Sequence, residues 1–255
     1  MNTNDPYIRK IVAQHTPNIT YIVQNKINEL QPHIHAWANG YAYVIKPSCS
    51  LAKGTGITGT TDIDIFISLD PSVSTYNTLE NVYNTLRNKF NAIGHTAREQ
   101  NVSIGINHTG LKVDVVAGVK HHVLGLDHSI WKRKAKTWTK TNIDEHINLV
   151  KNSGRIFDIK AIKIWRKLHN LDFPSFYLEL SVIEALKGAG LLGSSPADNF
   201  VKVMNYLVND FENKIIKDPS NQSNEVSDEL TIVEKQKIKS LAQITLAGNW
   251  DKAIW

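Results

Sequence analysis

The chain has 255 residues, enough for one large domain or two small ones, and its 42% hydrophobic and 21% charged content is that of an ordinary globular protein. No apolar run reaches transmembrane length and the first ten residues are polar, so no membrane span and no signal peptide are expected and a cytoplasmic protein is predicted. One cysteine excludes an intramolecular disulfide framework and a cysteine zinc cluster, and the net charge of +5 favours an anionic partner such as a nucleotide or nucleic acid.

Residues 1–15 are polar and are predicted to be partly ordered at best. Helical spacing follows over 19–30, with Ile19, Ile22, Val23, Ile27 and Leu30 on one face, and Pro32 is expected to end it. His33 and His35 then read as surface residues of a loop, and 41–46 as a strand. Residues 47–69 are the most informative stretch. A small-residue turn (Ser48, Cys49, Ser50) leads through Lys53, Gly54 and Thr55 and a Gly/Thr bend into an apolar strand that carries Asp62 and Asp64. Side chains alternate along a strand, so the two aspartates share one face and Ile63, Ile65 and Ile67 the other. Their Cα atoms lie roughly 6.5 Å apart, and two bare carboxylates at that distance repel by about 2.5 kcal/mol at an effective dielectric near 20. A divalent cation turns that repulsion into attraction. The preceding turn suits a triphosphate, because backbone N–H groups, the Ser50 hydroxyl and the Lys53 ammonium can contact its oxygens.

An amphipathic helix is predicted over 76–90, closed by Gly94, and two strands over 102–106 and 111–116 joined by a four-residue turn. Asp114 stands among apolar residues of the second strand and must face something polar, since a buried charge without a partner is costly. His121, His122 and His128 read as surface loop residues. Residues 131–140 combine five Lys or Arg residues with Trp131 and Trp138, a pattern shared by solvated loops and by surfaces that track nucleic acid. From 142 the chain turns helical: 142–152, 155–168, 175–187, 197–211 and a last region over 230–255, with 217–229 predicted as a solvated loop.

The run from Ser48 to Thr55, followed by Thr61-Asp62-Ile63-Asp64, resembles the signature of the polymerase-beta-like nucleotidyltransferases. The nearest branch holds cyclic GMP-AMP synthase-like bacterial enzymes, oligoadenylate synthetases and archaeal-type CCA-adding enzymes. Cys49 stands where that signature has glycine, and its Cβ would be strained at a positive φ. Asp114, fifty residues after Asp64, resembles the family's third acid by position. The passage from Ile159 to Leu180 is similar to the family segment in which a helix lysine and a serine at the next helix start contact the triphosphate. The resemblance implies an α/β (α+β) fold, with a small mixed-sheet catalytic domain over 1–140, a helical nucleotide-binding domain over 141–255 and the active site in the cleft between them. It implies Asp62, Asp64 and Asp114 as catalytic and metal-binding residues for two Mg²⁺ ions, with Mn²⁺ as a substitute. Ser50, Lys53, Lys163 and Ser175 would hold the triphosphate, Tyr177 would stack on the base, and Glu179 would be structural. Nucleoside triphosphates, ATP foremost, would be the donors, and RNA a further partner. The expected product is a linear or cyclic oligonucleotide signal of the antiviral-defence type. Addition of nucleotides to an RNA 3′ end, or a degenerate nucleotide-sensing module, are the alternatives.

Overall fold

The structure, a computed structural model, describes residues 3–16, 20–48, 50–59, 63–190 and 194–254. In chain order the elements are α1 (Asp5–Gln14), α2 (Thr20–Ala38), β1 (Ala42–Pro47), β2 (Ile63–Leu69), the single turn α3 (Val73–Tyr76) and α4 (Leu79–Ala92). Then come β3 (Arg98–Glu99), β4 (Ile104–His108), β5 (Leu111–Lys120), β6 (His128–Lys132) and β7 (Thr137–Thr141). The helices α5 (Ile143–Asn152), α6 (Ile156–Leu168), α7 (Ser175–Ala185) and α8 (Pro196–Asn209) follow, then β8 (Lys217–Asp218), β9 (Asn221–Glu225), α9 (Ile232–Ala247) and α10 (Trp250–Ala253). Among the described residues no helix is long and apolar enough to cross a membrane.

The chain forms two compact units that interleave in sequence. One takes Asn18–Ala52 and Thr61–Ile147, the other Met1–Pro17, Lys53–Thr60 and Asn148–Trp255. Near the predicted border at 140/141 the division falls at 147/148, and the first helix and the second half of the signature turn join the C-terminal helices.

The sheet unit is built on seven strands in the order β1-β2-β5-β4-β3, with β6 on β5 and β7 on β6. Only β2 and β5 run parallel; the other pairs are antiparallel. Ile63, Ile65 and Ile67 of β2 and Val113 and Val115 of β5 pack with Val23, Ile27, Leu30 and Ile34 of α2 and Leu86 and Phe90 of α4. This core explains why α2 does not stop at Pro32. An internal proline costs about 3 kcal/mol or more, but Leu30, Ile34 and Ala38 continue one stripe at four-residue spacing, and all three are buried. His33 and His35 therefore lie on a helix rather than in a loop.

The helical unit packs α1, α6, α7, α8 and α9 around Ile8, Ile159, Trp165, Leu178, Phe200, Met204 and Ile238. Residues 5–14 are helical and well anchored, against the sequence expectation. Ile8, Ile11 and Val12 recur at helical spacing and are buried, and the Asp5 carboxylate accepts from Ser195 Oγ (2.6 Å) and Ala197 N (3.0 Å) at the start of α8. The stretch 217–229 is likewise not a solvated loop. It forms the β8–β9 hairpin and a short 3-10 turn, in which Asp218 accepts from the backbone and hydroxyl of Ser220 and Val226 joins the core.

On the sheet face that carries the even-numbered residues of β2, His128 is 3% exposed, in contrast to the surface position expected of it. Its Nδ1–H donates to the Leu126 carbonyl (2.8 Å), so Nε2 is the acceptor for the Ser68 hydroxyl (2.7 Å). Burial lowers this imidazole to about 4, against the opposing pull of the Leu126 carbonyl. The unfolded chain titrates near the ordinary value of about 6.5, so between about 6.5 and 4 it binds more protons than the fold does, and stability falls as pH falls through that window. The expected loss is on the order of 3 kcal/mol. Thermal melts across that range should show a shallower decline for His128→Gln than for the parent; equal slopes would refute the assignment.

Candidate active site

Two groups of charged side chains include the residues expected from the sequence, one group on each unit. On the sheet unit, Asp64 sits between the buried Ile63 and Ile65, and Asp114 between the buried Val113 and Val115. The parallel register pairs Asp64 directly with Asp114. Neighbouring strands lie about 4.8 Å apart, so the two carboxylates leave the same face side by side. Both are half-buried. At that spacing two carboxylates repel by about 3.5 kcal/mol at an effective dielectric near 20. Hard oxygen donors of this kind fit Mg²⁺ or Mn²⁺, which relieve the repulsion. Asp62, the third predicted acid, lies outside the described residues, as does Cys49. Among the described residues no three His, Cys, Asp or Glu side chains converge on one point. Ser50 is half-buried in the turn after β1, and Ser48 N donates to the Asp64 carbonyl (2.9 Å), which ties the start of that turn to β2. The Asp114 carboxylate also accepts from Gln100 Nε2 (2.7 Å).

On the helical unit, Lys53 and Lys163 meet at Glu179. Lys163 Nζ lies 2.6 Å from Glu179 Oε1 and Lys53 Nζ 2.8 Å from Oε2, while the Thr55 hydroxyl donates to Oε1 (2.6 Å) and accepts from Lys163 (3.0 Å). Glu179 is 0% and Lys163 1% exposed. Burial alone would push the Glu179 carboxyl up; the two ammoniums outweigh it and hold the group at about 2. Burial draws the Lys163 ammonium down, and Glu179 opposes it. The group is an ionised cluster in which two cations share one anion. Glu179 is thus structural, as the sequence reading has it.

Arg166 adds a third cation and was not singled out from the sequence. Its Nη1 donates to the Phe173 carbonyl (2.6 Å) and to Ser175 Oγ (3.0 Å). The signal was available: Arg166 follows Lys163 by three residues, one helical turn on the same side of α6. Ser175 is the first residue of α7 and is half-buried. Tyr177 requires a correction. It is 0% exposed, stacked on Phe211 (5.2 Å between centroids) and edge-on to Phe173, so no ring face is left for a base. Its neighbour Phe176 is half-buried and lies under the Lys53 ammonium, 4.3 Å from ring centroid to Nζ.

The basic stretch 131–140 is a hairpin. Trp131 pairs with Trp138 across β6 and β7, and Trp138 is 55% exposed. Two of its cations have intramolecular partners: Lys140 pairs with Asp127 (3.3 Å), and Arg133 Nε donates to the Gln100 carbonyl (3.2 Å).

No family model and no curated protein matches this sequence. Solved structures match its fold. CdnC of E. coli MS115-1, solved with ATP, is 20% identical, with a TM-score of 0.72 over 92% of this chain and 89% of that one. The CdnE cyclic dinucleotide synthase of Elizabethkingia meningoseptica, solved with GTP and Apcpp, is 12% identical, with a TM-score of 0.65 over 89% and 92%. The Cid1 poly(U) polymerase bound to MgATP is 11% identical, with a TM-score of 0.68 over 94% and 92%. The chain therefore has the α/β fold of these nucleotidyltransferases, a mixed sheet followed by helices.

The Glu179 cluster generates a stability prediction. Glu179→Gln leaves two ammoniums buried without their counter-charge, and breaking a buried pair from one side costs about 3–5 kcal/mol. Urea denaturation should show a loss of that order; a loss below about 1 kcal/mol would show the cluster to be weakly coupled.

Proposed function

We propose that this chain is a divalent-metal-dependent nucleotidyltransferase that moves a nucleoside monophosphate from a nucleoside triphosphate to a ribose hydroxyl. The observation that carries this reading is the direct pairing of Asp64 with Asp114 on parallel strands, in a fold shared with structures solved with nucleotides. Asp62, Asp64 and Asp114 would hold two Mg²⁺ ions, which would supply neutralisation of the charge that develops on the reacting oxygens.

The chain's own groups do the rest. Ser50 and the signature turn contact phosphate oxygens through hydroxyl and backbone N–H donors. Lys53, Lys163 and Ser175 draw the triphosphate, with Arg166 as a further cation. Glu179 balances one positive charge of that group and fixes where the lysines stand, which leaves the cluster with net positive charge. The acceptor hydroxyl oxygen bonds to the α-phosphorus as the α–β bridging bond breaks. Pyrophosphate leaves, and Asp114 helps the hydroxyl lose its proton.

The favoured acceptor is a second nucleotide, giving a linear or cyclic oligonucleotide signal of the antiviral-defence type. The name of the CdnE neighbour, a cyclic dinucleotide synthase, supports this. Addition to an RNA 3′ end is the second reading, supported by the poly(U) polymerase neighbour.

The test is chromatography of products made from four labelled triphosphates with Mg²⁺, with and without added RNA. Oligonucleotides formed from nucleotides alone support the first reading, and products that appear only with RNA support the second. Asp64→Ala and Asp114→Ala should each cut turnover roughly a thousandfold or more, because a metal clamp supplies several kcal/mol and each 1.4 kcal/mol or so is tenfold in rate. Undiminished product from either variant would end the assignment.

A further inference from the structure

The carboxylate of Asp114 does not set its own direction. Its Oδ1 accepts from Gln100 Nε2 at 2.7 Å. The amide that donates is itself oriented, because Ser103 Oγ donates to Gln100 Oε1 at 3.0 Å. With its oxygen engaged by Ser103, the amide turns its N–H toward Asp114.

The backbone beneath the amide is fixed from three sides. Gln100 N donates to the Ser103 carbonyl (3.0 Å). The Tyr83 hydroxyl, from α4, contacts the carbonyls of Gln100 (2.7 Å) and Ser103 (3.2 Å). Arg133, just past β6, donates its Nε to the Gln100 carbonyl (3.2 Å) and its backbone N–H to the Asn101 carbonyl (2.8 Å). The turn between β3 and β4 is thus held at both of its first two residues.

A second feature points the same way. Gly105 of β4 lies directly opposite Asp114 in the antiparallel register. A Cβ on Gly105 would stand 2.8 Å from Gln100 Nε2 and 2.9 Å from Asp114 Oδ1, closer than real Cβ contacts. A glycine in a strand interior weakens it and often marks a close approach. Here the missing side chain is the space in which the amide and the carboxylate meet.

We propose that Gln100 is a positioning residue of the acid pair: it sets the rotamer of Asp114, in room that Gly105 provides. The donor chemistry fits the task. A lysine or arginine in that place would orient the carboxylate but also neutralise it. A neutral amide orients it without itself adding a positive charge. The inference rests on the reading of Asp114 as a metal-binding acid.

The test is Mn²⁺ titration of the full chain, followed by electron paramagnetic resonance, with a nonhydrolysable triphosphate analogue present. Gln100→Leu, Gly105→Ala and, as reference, Asp114→Asn are compared with the parent. Outer hydrogen bonds to metal ligands are worth about 10–100-fold in metal affinity, and Gln100→Leu and Gly105→Ala should lose that much Mn²⁺ affinity. In turnover the same two variants should lower kcat while KM for the triphosphate stays near the parent value. Gly105→Ala adds one methyl against the ends of two flexible side chains, so it decides the matter even where Gln100→Leu fails to fold. Parental Mn²⁺ affinity in the Gly105→Ala variant, with affinity lost in Asp114→Asn, overturns the role of Gln100 and leaves Asp114 as a ligand. Parental affinity in Asp114→Asn overturns both.

Discussion

The parallel pairing of β2 with β5 is the constraint on which the candidate chemistry depends. It places Asp64 opposite Asp114. Parallel neighbours need a long crossover, and here it runs from Leu69 through α3, α4, β3 and β4 to Leu111. The register is held by burial. A slip of one residue would turn Val113 and Val115 away from the core and bury Asp114 in their place. Both valines are fully buried with Ile63 and Ile65, so the apolar side of the sheet sets the position of the polar side.

Charge is handled differently on the two units. The acids of the sheet unit stand half-buried on a face whose deeper part is closed by Phe66, Ser68 and a neutral His128. Lys53 and Lys163 of the helical unit are deeply buried and share Glu179. An isolated ammonium at the place of Lys163 would be costly to bury in its charged form. Glu179 Oε1 at 2.6 Å opposes that cost, and the Thr55 hydroxyl at 3.0 Å completes the hydrogen bonding of the Lys163 ammonium. Retaining two cations around one carboxylate costs stability relative to a neutral core, but it keeps positive charge where the segment after the signature turn joins the helices.

Much of this was legible in the sequence because it broke a pattern. Asp64 and Asp114 are carboxylates inside apolar strands, and the structure pairs them. The interior of α7 carries a signal of its own. The run SFYLELSVIEA spreads its apolar residues around the helix, and its middle, Tyr177 to Val182, is buried. Tyr177 therefore belongs to the core, and Glu179 needs the buried partners it has. Other features had no local signal. Gln100 and Ser103 lie in a short polar turn whose role comes from Tyr83 and Arg133, distant in sequence. Polarity hid the helix over residues 5–14 and the hairpin over 217–229, since each contributes only a few apolar residues to a core supplied mainly by others. Pro32 lacks the backbone N–H that a helix interior uses, and the stripe through Ile34 and Ala38 carries α2 past it.

The central claim is that the paired strands hold a divalent ion between Asp64 and Asp114. Its most direct measurement is anomalous diffraction from a crystal of the chain grown with Mn²⁺ and a nonhydrolysable nucleoside triphosphate. A manganese peak within bonding distance of both carboxylates, with triphosphate oxygens on its other side, is the predicted result. Manganese bound elsewhere, with nucleotide present and these two carboxylates contacting neither, would contradict it.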